Sequence, residues 1–311
     1  MTLRFSLVLG GGGAVGLGYI CGVLHAIEDV AGIDFAAADV LIGTSVGAVV
    51  ATDLRLGRSV LDIYADRARP VGEPADAPMV TRAWTSRADL ARRLVGASSV
   101  AVRALAPYAL RLPPPPRVVQ RAFPASLLRV RDPDWARRRF PDEWPEDELW
   151  LTGYDIDRGR RVVLRRDSSP HLALPRAVEA SCAVPGVYAP VRLGRSRLVD
   201  GGVRSATNLD LATRVPSDIV IVVAPLALDG GARPSLRAVA RRRFNRTLAR
   251  EAAAVRRAGK DVITFRPSLE ELRVHGVNIL SDRNLDAVFD SAYATAASSV
   301  RTKQLARATG R

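Results

Sequence analysis

Apolar residues in this chain come in short blocks closed by glycine. FSLVL at 5–9 runs into Gly10–Gly13, which reads as a buried strand entering a tight loop. Residues 16–30 follow with helical spacing, and Gly18 and Gly22 permit close packing. Val40 to Ile42 is a second buried strand, then Gly43-Thr-Ser-Val-Gly47, then Ala48 to Leu54, small and apolar on every side. Strand, tight loop and buried helix thus occur twice within about fifty residues, the layering of an α/β domain. The pattern resumes at Leu149. Leu149–Tyr154 and Arg161–Leu164 flank Asp157-Arg-Gly159 as a hairpin. Leu174–Ala183 predicts a helix and Arg197–Val199 a short strand, while Ile219–Ala224 reads as a buried strand. Ser235–Ala258 predicts a long amphipathic helix with Leu236, Val239, Phe244, Leu248 and Val255 inward and its eight arginines mostly outward. Val262–Phe265 is a last strand before a helical remainder. No internal repeat is visible.

Between about Val71 and Glu148 the alternation breaks. Proline and arginine dominate, and Pro113–Pro116 excludes helix or central strand. Leu90, Leu94, Ala97, Ala101 and Leu105 nevertheless share one helical face. The expectation is one domain over 1–311 carrying a Pro/Arg-rich helical insertion at 71–148, either a cap or lid over a site or a solvated subdomain packed on the sheet.

Composition narrows the class. With 311 residues, 48% hydrophobic and 25% charged, the chain can bury a real core, and general disorder is excluded. Two cysteines, Cys21 and Cys182, exclude a disulfide scaffold. Three scattered histidines, His25, His171 and His275, leave little room for a His-rich zinc site. The stretch Phe5–Leu24 carries no charge over twenty residues, but seven are glycine, which disfavours a spanning helix at about 1 kcal/mol each. No cleavage motif closes it, so the expected location is cytoplasmic. The formal charge of +14 is almost all arginine, Lys260 and Lys303 excepted. A GC-rich coding bias accounts for that, and so does attraction to a polyanion. The charge suits peripheral contact with an anionic membrane. Nucleic-acid binding lacks support, since no zinc-finger spacing occurs and aromatics are only 5%.

Three loops carry candidate chemistry. Gly43-Thr44-Ser45-Val46-Gly47 fits G-x-S-x-G, in which a sharp strand-to-helix turn thrusts a serine hydroxyl outward, the helix N-terminus behind it favouring negative charge. Gly10–Gly16 lies in the same context. Consecutive glycines let amides converge as an oxyanion hole or anion nest. A dinucleotide fingerprint on Gly11, Gly13 and Gly16 lacks a well-placed acid, because Asp34 and Asp39 precede the next strand. A P-loop lacks its Lys-Ser/Thr pair. A purely structural turn stays open. Asp200-Gly201-Gly202 is in isolation an ordinary Asp-Gly turn. None of the three histidines follows a late strand in the pattern of an α/β-hydrolase, where the order runs serine, acid, histidine, and a carboxylate acting directly on serine would fill that gap.

Taken together, these motifs resemble the patatin-like phospholipases. The glycine-rich oxyanion motif is matched by Gly11-Gly12-Gly13-Ala14-Val15-Gly16. Gly43-Thr44-Ser45-Val46-Gly47-Ala48 matches the nucleophile elbow, and Asp200-Gly201-Gly202 the aspartate motif. Ala180-Ser-Cys-Ala-Val-Pro-Gly186 is also similar, and the resemblance covers about residues 5–225. It implies a three-layer α/β/α fold around a mostly parallel sheet, with an inserted helical cap. It further implies a lipid acyl hydrolase using a Ser45–Asp200 dyad. The amides of Gly11, Gly12 and Gly13 would form the oxyanion hole, with Gly16, Gly43, Gly47, Gly201 and Gly202 shaping the loops. No metal or organic cofactor is called for, and the expected partner is an acyl lipid or ester. Val15 stands where the family has Arg or Lys, and Tyr19 near where it often has His. A non-catalytic acyl-lipid or membrane binder, and a general esterase or thioesterase, remain alternative readings.

Overall fold

In the computed structural model the described residues are 4–66, 135–168, 171–185, 187–229, 236–276 and 278–302. Strand β1 (Phe5–Leu9) lies at the middle of one sheet, because its FSLVL side chains are buried on both faces. It pairs in parallel with β2 (Val40–Gly43) and with β7 (Ile219–Val223). Beyond β2 comes β3 (Glu148–Asp155), also parallel, and beyond β7 comes β8 (Asp261–Phe265). The hairpin partner β4 (Arg160–Leu164) and strand β6 (Ser196–Asp200) both run antiparallel to β3, and β5 (Val191–Leu193) pairs antiparallel with β6 to complete the sheet. Its order is β5-β6-β3-β2-β1-β7-β8, with β4 on β3.

Alternation along the strands splits the core in two. Leu7, Leu9 and Leu41 face α1 (Gly13–Ala31), α2 (Val46–Arg55), α3 (Val60–Ala65), α5 (Leu174–Cys182) and α8 (Leu285–Thr302). Val8, Ile42, Val220 and Val222 face α6 (Leu236–Arg257), through Leu248, Ala252 and Val255, and the 3₁₀ segment Leu209–Arg214. The molecule is therefore an α/β/α sandwich with a mostly parallel central sheet. Helix α1 is long and apolar enough to cross a membrane, but it lies largely buried inside the fold, clamped against α8.

The core of the expected insertion at 71–148, including the amphipathic positions Leu90 to Leu105, lies outside the described residues. Its trailing edge is α4 (Trp135–Arg139), where Arg139 reaches the buried Asp53 at 2.6 Å. A short helix α7 (Glu271–His275) leads into Asn278–Leu280 and α8. Two elements start earlier than periodicity predicts, α1 at Gly13 and α2 at Val46, because the glycine loops themselves form the first helical turns.

Candidate active site

The register of the sheet explains why distant motifs meet. Gly43 pairs with Leu151 and Asp200 with Gly153, so Ser45 and Asp200, reached two residues beyond Gly43 and at the end of β6, come to one level of the sheet. Leu9 pairs with both Gly43 and Val223, which puts the glycine loop beside them.

Ser45 is the N-cap of α2 and holds φ 56°, ψ −128°, a strained conformation for a residue with a side chain. The flanking glycines are needed for close approach. A Cβ on Gly47 would lie 2.2 Å from the Leu9 carbonyl oxygen, and one on Gly43 2.4 Å from the Ala48 Cα. The elbow is held from α5: the Ser45 amide donates to Ser181 Oγ at 3.1 Å, and the Cys182 thiol donates to the Ser45 carbonyl at 3.4 Å. The next turn of the same segment fixes the acid, since the Asp200 amide donates to the Ala183 carbonyl at 2.9 Å. Ser181 and Cys182 lie inside the Ala180–Gly186 stretch, which the sequence marks without assigning them a task.

Asp200 is wholly buried. Its Oδ1 accepts the Gly202 amide at 2.7 Å. Oδ2 has no partner in full hydrogen-bond geometry, yet the Ser45 hydroxyl is near enough to act on the carboxylate. The two groups line the same cleft. Burial drives the Asp200 pKa up from 3.8 to about 6, against the opposing pull of Ser45 and the Gly202 amide.

The glycine loop departs from expectation at one donor. The Gly11 amide is spent on the Ala206 carbonyl at 2.8 Å. Gly11 serves instead as a surface: a Cβ there would fall 3.1 Å from Ser45 Cβ. The amides of Gly12 and Gly13, at the N-terminus of α1, have no acceptor among the described residues. Three expected donors thus reduce to two. Gly16 donates its amide to the Gly12 carbonyl, and Gly201 packs against Thr152.

Val15 is buried in the core on the α1 side, its amide donated to the Ile279 carbonyl. A cation does reach the back of the loop from elsewhere. Arg241 of α6 is buried and donates through Nη1 to the carbonyls of Pro225 and Ala227 at 2.7 and 2.9 Å. Pro225 in turn abuts Gly12 and Gly16. Nothing in the sequence of a 22-residue, arginine-rich helix singles out this arginine.

These groups open on one cleft, walled by Val184, Val187, Ala206, Leu226, Ile279 and Leu280 around Ser45 and Asp200. The apolar wall suits a hydrocarbon chain, and no cationic side chain lines the cleft among the described residues. His275 lies apart, edge-on to Tyr19 at 5.5 Å. Among the described residues no cluster of three or more His, Cys, Asp or Glu is disposed to hold a metal ion.

A model of the patatin-like phospholipase family matches residues 7–213. No curated protein sequence matches significantly. Among solved structures, VipD from Legionella pneumophila is similar at 13% identity and a TM-score of 0.48, over 96% of this chain and 67% of that one. The type III effector protein ExoU is similar at 16% identity and 0.42, over 96% and 53%. The complex of full-length SpcU with full-length ExoU from Pseudomonas aeruginosa gives 16% and 0.35, over 93% and 53%. This chain therefore spans about two thirds of the VipD chain and about half of the ExoU chain.

Proposed function

The chain belongs to the patatin-like phospholipase family, and from that premise we propose that it is a lipid acyl hydrolase working through a Ser45–Asp200 dyad. The observation that carries the reading is the convergence of a strained serine, a buried carboxylate with one unsatisfied oxygen and two unspent amides on a single apolar cleft.

In the proposed cycle Ser45 Oγ attacks the ester carbonyl carbon while its proton passes to Asp200 Oδ2. The carbonyl oxygen becomes an oxyanion held by the amides of Gly12 and Gly13, donors typically worth about 3 kcal/mol each in such sites. The C–O bond to the alcohol breaks, and the leaving oxygen takes the proton back from Asp200. Water then attacks the acyl-serine while Asp200 again accepts a proton, and as the acyl C–O bond breaks that proton passes from Asp200 to Ser45 Oγ, which frees the acid and restores both residues. A carboxylate with a pKa of about 6 is still ionised at neutral pH, and it is a stronger base than an exposed aspartate.

A second reading, a carboxylesterase or thioesterase acting on esters without a phosphate head group, is favoured by the absence of a cation on the described cleft wall. The net charge of +14 favours lipid presented at an anionic surface instead. One experiment addresses both. The full chain is labelled with a fluorophosphonate probe and assayed on a short-chain aryl ester and on anionic phospholipid vesicles. Labelling and turnover are expected in the wild type and lost in Ser45→Ala. Asp200→Asn should lose at least about 10³-fold in turnover while staying folded. Retained activity in either variant refutes the dyad, and turnover on the aryl ester with none on vesicles selects the second reading.

A further inference from the structure

Beneath Ser45 and Asp200 lies a buried polar knot that the proposed chemistry does not use. Its centre is Asn208, fully buried and held at φ 51°, in the left-handed region that non-glycine residues seldom adopt. The Nδ2 of Asn208 sits among four acceptors: the Ser205 carbonyl at 2.7 Å, Thr44 Oγ1 at 3.1 Å, Thr152 Oγ1 at 3.3 Å and the Gly201 carbonyl at 3.4 Å. Thr44 immediately precedes Ser45, and Gly201 immediately follows Asp200. Thr152, on the strand between them, lies 2.9 Å from Thr44 Oγ1 and also donates to the Gly43 carbonyl. One side-chain amide thus touches both catalytic loops and the strand that separates them.

The amide has a defined direction. Oδ1 of Asn208 accepts from Arg161 Nη1 at 3.1 Å, and Arg161 is held by Asp210 at 2.6 and 2.9 Å. Reversing the amide would aim its N–H groups at a guanidinium and its oxygen at carbonyls, so the orientation with nitrogen toward the loops is the one hydrogen bonding selects. On the other side the main chain of Asn208 is fixed as well, its amide donating to Ser205 Oγ and its carbonyl accepting from Leu211. Glu251 of α6 secures the neighbouring residues, accepting from Thr207 Oγ1 at 2.9 Å and the Leu209 amide at 3.0 Å.

We propose that Asn208 is a positioning residue that sets the separation of Ser45 and Asp200 by tying Thr44 and Gly201 to a common donor. The inference rests on the dyad reading. The α5 end, through Ser181 and Ala183, restrains the two loops from one side, and Asn208 restrains them from the other. Proton transfer between Ser45 and Asp200 depends on the spacing of the two loops, and misplacement of about 1 Å in such a site costs on the order of 10²-fold in rate.

The test uses the full chain and a soluble aryl ester, with Asn208→Gly, which keeps the left-handed backbone unstrained while deleting the donor. The expected result is kcat lowered about 10- to 100-fold with KM within about twofold. The acid limb of kcat moves upward relative to the wild type, because Ser45 no longer opposes the burial of Asp200. Thr44→Val and its double variant with Asn208→Gly should lose less together than the sum of the single losses. A merely structural role would lower thermal stability and leave kcat and the pH limb in place, and that outcome overturns the proposal. Should Asn208→Gly fail to fold, Thr152→Val and Thr44→Val carry the same readout, and an unmoved kcat and limb in both overturn it. Full activity in Ser45→Ala run alongside would reject the dyad itself. Inactive Ser45→Ala with unaltered Asn208→Gly would reject only the positioning role.

Discussion

Asp200 carries opposite demands. Its burial raises the pKa from 3.8 to about 6, so the folded state disfavours the ionised form that a general base must have. Worked through linkage, the destabilisation is absent below about pH 4, grows as pH rises, and is complete above about pH 6. The span corresponds to at most about 3 kcal/mol. Asp200→Asn, an inactive protein on the proposed mechanism, should therefore be more stable than the wild type at pH 8, with the gain fading as pH falls through 6 toward 4. Urea midpoints for both proteins at pH 4.5 and 8 measure it, and equal differences at the two pH values would contradict it. The two loops that carry Ser45 and Asp200 are legible in the sequence because each is a short motif whose flanking glycines have a steric purpose. That the Gly11 amide is spent on the Ala206 carbonyl is something no sequence can show. Asn208 gave no signal at all. A lone asparagine eight residues past an aspartate matters only once β3 places Thr152 between the two loops.

At the scale of elements, the elbow works because α2 lies almost on top of β1. The Leu9 carbonyl already accepts the Thr44 amide at 3.0 Å, and Gly47 passes it with no room for a methyl group. Gly47→Ala must push α2 away from β1 and carry Ser45 with it. The expected cost is about 1–3 kcal/mol or more from overpacking. Fluorophosphonate labelling should slow at temperatures where circular dichroism shows the variant still folded. Labelling at the wild-type rate would mean that Ser45 moves independently of its helix. The repeated strand–loop–helix units were readable from apolar blocks, as were the hairpin, α5, β7 and α6. Strand β5 was not, since Val191-Arg-Leu193 has too few residues for a period and is defined by pairing with β6. Helix α3 was missed for a similar reason: it is six residues long, its stabilisation tertiary, through Val60 and Ile63 in the core. The Arg241 brace belongs to this scale too, because it links α6 to the glycine loop through the turn at Pro225.

For the whole molecule, acid is where the buried charges compete. Glu251, Glu271 and Asp53 have pKa values raised by burial, so like Asp200 they are relieved rather than strained as pH falls. His275 runs the other way. It is buried beside Tyr19, neither ring nitrogen has a hydrogen-bond partner among the described residues, and burial together with the nearby Arg241 lowers its pKa from 6.5 to about 3. An unfolded chain protonates this imidazole near 6.5 while the folded one resists, so its contribution is fully present above 6.5 and drains away as pH falls toward 3. His275 ends α7, and the chain runs on to Ile279 and Leu280, which wall the cleft, with Ile279 accepting the Val15 amide. Acid should loosen that wall before it unfolds the sheet. His275→Phe keeps an aromatic face for Tyr19 and removes the proton site. Relative to the wild type it should gain about 2 kcal/mol between pH 7 and pH 5. Guanidinium midpoints at the two pH values give the difference, and hydrogen exchange at pH 5 should show earlier protection loss in 271–285 of the wild type than in the variant. A pH-independent difference between the two proteins would mean that this imidazole finds a proton acceptor in the folded state and that acid acts on the fold elsewhere.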